Sequence, residues 1–128
     1  MLTPSQLANL RSAVGDDALI TAKTQLQTYE CDGLTNFRVV PDAVVLPRAA
    51  AQVQAVVRIC ARDKIPFVSR GAGTGLSGGA LPAAGGIVIS LARMTRILSV
   101  DIPNRQVVVE PGVINAHITP LNPHLLLP

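Results

Sequence analysis

The sequence contains no tryptophan, one tyrosine and two phenylalanines, which leaves little on which nucleic-acid bases could stack. Eleven basic residues outnumber eight acidic ones for a net charge of +3. They stand singly from Arg11 to Arg105 rather than in a patch, so no nucleic-acid partner is expected and the balance implies only a mild preference for anionic ligands. No lysine follows Lys64, so a phosphate loop of the GxxxxGK[ST] type is excluded from the second half of the chain. The two cysteines, Cys31 and Cys60, have no CxxC or CxxH partner, which argues against a zinc site or a disulfide framework and for buried, reduced thiols. His117 and His124 are the two histidines. Neither has a carboxylate or thiol at metal-ligand or triad spacing, so no metal ligand and no catalytic residue is assigned. No run of eighteen apolar residues occurs, and the opening "MLTPSQLANLRSAVGDD" has no basic segment leading into an apolar one. The chain is expected to be soluble and cytoplasmic, with no membrane span.

What the sequence does have is aliphatic bulk, 48% hydrophobic over 128 residues, ample for the core of one domain. A helix signal opens it: Thr3 as N-cap, Pro4 at the first helical position, Gln6 completing a capping box, Leu7, Leu10 and Val14 on one face, and Gly15 as a stop. The Asp16–Asp17 pair reads as negative charge at the start of a short second helix. Residues 29 to 42, "YECDGLTNFRVVPD", have turn residues and no period, and read as a connecting segment in which Glu30 and Asp32 are assigned no chemistry. From Ala43 the pattern changes to a strand, "AVVLP", then a helix with Val53, Val56, Val57 and Cys60 on one face, then a strand over 65–69. This is a strand–helix–strand unit of the parallel type. Strands follow at 86–91, 97–101 and 106–112, the last two joined by a tight turn at Pro103–Asn104. Asp101 and Glu110 read as solvated strand ends. The expected fold class is α+β, with residues 1–42 as a helical and connecting segment and 43–128 as the main unit. The tail "GVINAHITPLNPHLLLP" packs Leu125 to Leu127 as a final strand or stops inside a larger protein, and the second is expected.

The most unusual stretch is "RGAGTGLSGG", residues 70 to 79, with glycine at 71, 73, 75, 78 and 79. Glycine inside regular structure costs roughly 0.5–1 kcal/mol relative to alanine, so such a cluster needs a compensating reason. Gly73, Gly75 and Gly78 satisfy the dinucleotide pattern GxGxxG after a strand, with Asp101 as a ribose-binding candidate. However, Pro82, Gly85 and Gly86 stand where that motif requires a helix, which argues against a nicotinamide-dependent enzyme. What remains is a loop between strands whose donors are its own amides, the Thr74 and Ser77 hydroxyls and the Arg70 guanidinium, a nest suited to a pyrophosphate. The alternative is a close crossing of backbones with no ligand. Arg70 likewise reads as a bidentate anion contact or as half of a salt bridge.

Four segments, "YECDGL" (29–34), "VVLP" (44–47), "PFVSRGAGTGLSGGALP" (66–82) and "VVVEPGV" (107–113), in this order, resemble the glycolate oxidase flavoprotein (D) subunit and FAD-linked D-lactate dehydrogenase family. That family lies within the vanillyl-alcohol oxidase/p-cresol methylhydroxylase superfamily. The resemblance implies the first subdomain of a PCMH-type FAD-binding domain, truncated at its C-terminus. It also implies that Arg70, Gly71, Ala72, Gly73, Thr74, Gly75, Ser77, Gly78 and Gly79 wrap the FAD pyrophosphate, with Pro47 near the cofactor. Where some superfamily members carry a histidine bonded to the flavin, this chain has Thr74, which implies non-covalent FAD. A full-length protein of this kind is a flavin-dependent dehydrogenase or oxidase that takes a hydride from a 2-hydroxy-acid substrate, and it associates with other oxidase subunits, including an iron-sulfur subunit. The segments that would choose the substrate are not in this sequence, so its share is cofactor binding. The second functional reading is a non-catalytic fragment that binds FAD weakly or not at all.

Overall fold

The computed structural model describes residues 1–82 and 85–119. Helix α1 (Pro4–Val14) starts as its sequence dictates: Thr3 Oγ1 accepts from the Gln6 N–H at 3.3 Å and Gln6 Oε1 accepts from the Thr3 N–H at 2.9 Å. It ends where the Gly15 N–H donates to the Arg11 carbonyl. Leu10 and Val14 are buried and Leu7 half-buried. A single 3-10 turn (Asp16–Ala18) leads into the two-residue strand β1 (Leu19–Ile20). The aspartates at that turn make no cap. Asp16 pairs with Arg11 at 2.7 Å, and Asp17 takes Arg48 at 2.8 Å and Arg93 at 3.0 Å. Both stand in the first turn of that 3-10 helix, as expected, and Asp17 also joins segments distant along the chain. After the short helix α2 (Lys23–Leu26) the chain runs without strands to β2 (Ala43–Val45).

β2, α3 (Ala50–Asp63), β3 (Phe67–Arg70) and β4 (Ile87–Ser90) build the main layer. The sheet order is β1-β2-β4-β3, with β1 antiparallel to β2 and both β2 and β3 parallel to β4. The expected parallel unit over 43–69 is present, but its two strands are not neighbours. β4 lies between them, and the reason is legible in its residues. Ile87, Val88 and Ile89 form an unbroken apolar run, all buried, which suits a strand flanked on both sides. β3 exposes Phe67 and Ser69 and takes the edge. Helix α3 turns Val56 and Cys60 into the core, packs against α1, and stops at Lys64 in the left-handed conformation. Cys60 is buried as expected, whereas Cys31 is only half-buried; both are free.

A second, two-stranded sheet follows, β5 (Ile97–Asp101) antiparallel to β6 (Gln106–Val109). Its turn is held by Asp101, whose carboxylate accepts from the Asn104 N–H at 3.1 Å and from Asn104 Nδ2 at 2.7 Å. The strand read from 106 to 112 ends at Val109, because Pro111 has no N–H for a ladder. Glu110 is a correction to the sequence reading. It is buried, and its carboxylate accepts from the Arg96 backbone N–H at 2.8 Å and from the Arg96 guanidinium at 2.7 and 3.0 Å. His117 ends an exposed 3-10 turn, while His124 and Leu125 to Leu127 lie outside the described residues.

Candidate functional site

Parallel pairing puts the carboxyl ends of β2, β4 and β3 on one edge of the sheet. From β2 the chain crosses through α3 to the far side of β4, and from β3 it returns to β4, so the two connections leave the edge in opposite senses. In open parallel sheets, ligands bind at such a reversal. Pro47, fully buried just past β2, and the glycine loop just past β3 thus share this edge, two strand spacings or about 10 Å apart.

Residues 71 to 79 contain no helix or strand, and all but Gly73 and Gly78 are exposed. Not one backbone N–H from Gly71 to Gly79 donates to another described residue, and the Thr74 and Ser77 hydroxyls make no such bond either. The five glycines divide into two groups. Gly73 and Gly78 have φ of 74° and 69°, in the region L-residues avoid, and the space beside Gly73 is filled by the Arg70 guanidinium. At Gly71, Gly75 and Gly79 the backbone is ordinary, and a Cβ would meet none of the described residues within 4 Å. The folding of this chain gives no reason for glycine at these three positions.

The inner side of the loop rests on residues 29 to 34. A Cβ on Gly33 would lie 2.8 Å from the carbonyl oxygens of both Thr74 and Gly75. Because each peptide unit is planar and trans, carbonyls turned inward turn the N–H groups of Gly75 and Leu76 outward. Two successive outward amides are the core of an anion nest. Arg70 works from beneath. It is 9% exposed, its Nη1 donates to the Cys31 carbonyl at 2.9 Å, and its guanidinium carbon stands 5.6 Å from the Tyr29 ring centroid. Among the described residues no carboxylate pairs with it, so it is not half of a salt bridge there. Asp32, also buried, accepts from the Leu34 N–H at 2.9 Å through Oδ1, while its Oδ2 has no partner among the described residues.

Sequence reasoning named the loop and Pro47 as candidates and assigned no role to Gly33, Tyr29 or the Cys31 carbonyl, which the structure brings against the loop or its Arg70. Residues 29 to 34 have no periodicity and join the loop only through contacts some forty positions away, which spacing rules cannot register. Among the described residues no cluster of three metal-ligating side chains exists, and no helix is long and apolar enough to cross a membrane.

Residues 41–124, including the loop and all strands from β2 to β6, match the family model described as "FAD binding domain". The chain belongs to this family. It is 43% identical over 115 residues to the glycolate oxidase subunit GlcD of Escherichia coli, a match that covers 90% of this chain and 23% of the relative. It is 34% identical over 118 residues to the D-2-hydroxyglutarate dehydrogenase of Stutzerimonas stutzeri, covering 92% and 25%. The chain thus spans about a quarter of the length of these relatives. In structure it is similar to substrate-bound p-cresol methylhydroxylase, with a TM-score of 0.73 and 29% identity over 99% of this chain and 26% of the other. Alkyldihydroxyacetonephosphate synthase shares the fold at a TM-score of 0.84 and 19% identity, over 94% of this chain and 25% of that one. The α+β fold is therefore that of PCMH-type FAD-binding domains, as the residues at 44–47, 66–82 and 107–113 imply.

Proposed function

We propose that this chain binds FAD non-covalently, holding its diphosphate on the outward amides of residues 71 to 79 with the Thr74 and Ser77 hydroxyls as auxiliary donors. One observation carries the reading: Gly71, Gly75 and Gly79 are glycine where neither backbone conformation nor packing within the chain asks for it. A side chain there would stand between the amides and a ligand, and its absence lets phosphate oxygens approach the backbone directly. Arg70 contributes its charge from below the loop and holds the loop to Cys31. The loop carries no histidine, cysteine or tyrosine, which favours a flavin held by contacts alone.

Bound FAD supplies an acceptor for a hydride. Similarity to GlcD and to the hydroxyglutarate enzyme supports placing the domain in a dehydrogenase or oxidase of 2-hydroxy acids. The relative from Escherichia coli is named as a subunit, which supports association with further oxidase subunits. The chain's own share is to bind and orient the nucleotide.

The test is a titration of the purified protein with FAD, followed by flavin fluorescence and visible absorbance. Saturable binding, with all flavin released when the protein is denatured, is expected. Flavin that stays with the denatured chain would overturn the non-covalent reading. A folded protein that ignores FAD, or that binds NAD in its place, would overturn the site.

A further inference from the structure

Asp32 Oδ2 is the buried side-chain oxygen that lacks a partner among the described residues. Leaving a charged oxygen so placed is unfavourable, and such an exception calls for an explanation. The neighbouring residues supply one. Cys31, whose Cα is about 3.8 Å away along the chain, gives its carbonyl to Arg70, and Gly33 on the other side packs against the loop carbonyls. Arg70 is itself buried, and among the described residues the one hydrogen bond of its guanidinium is that to Cys31. A guanidinium has five N–H donors. Residues 29 to 34 and Arg70 therefore contain a buried anion short of donors and a buried cation short of acceptors, on adjacent anchors and not yet in contact.

We propose that Asp32 is a positioning residue for the diphosphate loop, and that in the FAD-bound protein its free Oδ2 accepts from the Arg70 guanidinium. This rests on the reading of residues 71 to 79 as the FAD diphosphate site. Gly73 sits directly on the guanidinium. A ligand gripping the outer amides draws the loop outward and lifts Gly73, which leaves Arg70 free to turn to Asp32. The pair then holds Arg70, and through it the first turn of the loop, in the shape that fits the ligand. Asp32 touches no substrate or cofactor atom in this scheme.

The test is a double-mutant cycle on the whole chain with Asp32→Asn and Arg70→Gln, reading both the FAD dissociation constant and the melting temperature without FAD. Asparagine keeps an oxygen for the Leu34 N–H and removes the second acceptor. Each single variant should weaken FAD binding about tenfold, and the double variant about tenfold rather than a hundredfold, as for residues in contact. The melting temperatures without FAD should fall additively. Affinity losses that multiply would overturn the proposal while leaving the FAD site standing. Equal coupling in the FAD-free melts would overturn it too, since that is the mark of a permanent or water-bridged pair. A folded wild-type chain that does not bind FAD would overturn the loop reading and this proposal together. Should a variant fail to fold, the Arg70 Nε–H signal of the wild-type protein decides: a shift and slowed exchange on FAD addition support the pair, and an unchanged signal rejects it.

Discussion

At Gly75 a β-carbon would meet none of the described residues, whereas at Gly33 it would strike two carbonyl oxygens, and this difference lets the proposed ligand binding be tested apart from folding. Alanine at Gly71, Gly75 or Gly79 meets no atom of the described residues and requires no unusual φ. Such a change stabilises a chain by roughly 0.4–1 kcal/mol through the unfolded state. We expect Gly75→Ala to melt at or slightly above the wild-type temperature and to bind FAD at least about tenfold more weakly, the equivalent of one lost amide contact. Calorimetric titration beside a thermal melt reads both, and unchanged affinity would remove the loop from the site. Gly33→Ala should lower stability and affinity together, because Thr74 and Gly75 must move before the methyl group fits. If its melting temperature is unaltered, the contact between Gly33 and the loop is not as described. Glycine content made the loop conspicuous in the sequence, but which glycines the backbone conformation and the packing require is readable only from φ angles and neighbours.

Among the elements, those whose cause is local were legible and those whose cause is long-range were not. The α1 cap, its stop at Gly15 and the Asp101–Asn104 turn all rest on residues within four positions of one another. The place of β4 between β2 and β3 rests on pairings across the chain, and the sequence marks it only by the unbroken run Ile87 to Ile89. That run is where the sheet is most sensitive. Ile89→Ala empties space at the sheet centre and should cost about 2–5 kcal/mol of stability. Val108→Ala, on an exposed hairpin position, should stay within about 0.5 kcal/mol. Urea denaturation compares them, and similar midpoints for the two variants would mean that β4 is not central.

Across the whole molecule, arginine–carboxylate contacts tie together segments that lie far apart along the chain. Asp17 joins the turn after α1 to Arg48 beyond β2 and Arg93 beyond β4, and Glu110 fastens the end of β6 to Arg96 before β5. The hydrogen bond from Arg48, with added attraction from Arg93, holds the Asp17 carboxyl below its usual value, and the hydrogen bonds from Arg96 do the same for Glu110. A carboxylate with a lowered folded-state pKa binds its proton less readily folded than unfolded. Its contribution is therefore complete above the unfolded value near pH 4 and is lost as the pH falls through the lower, folded one. Asp17→Asn and Glu110→Gln should melt below the wild type at pH 7, and each gap should begin to narrow as the pH falls below about 4. Salt separates the two. Asp17 and Arg48 are exposed, so raising ionic strength from 0.15 M to 1 M, which shortens the screening length from about 8 to 3 Å, should narrow the Asp17→Asn gap. The Glu110 carboxylate is buried and bound directly to a backbone N–H, so its gap should persist in high salt. Equal salt sensitivity, or gaps that stay constant down to pH 3, would show that these contacts do not hold the distant segments together.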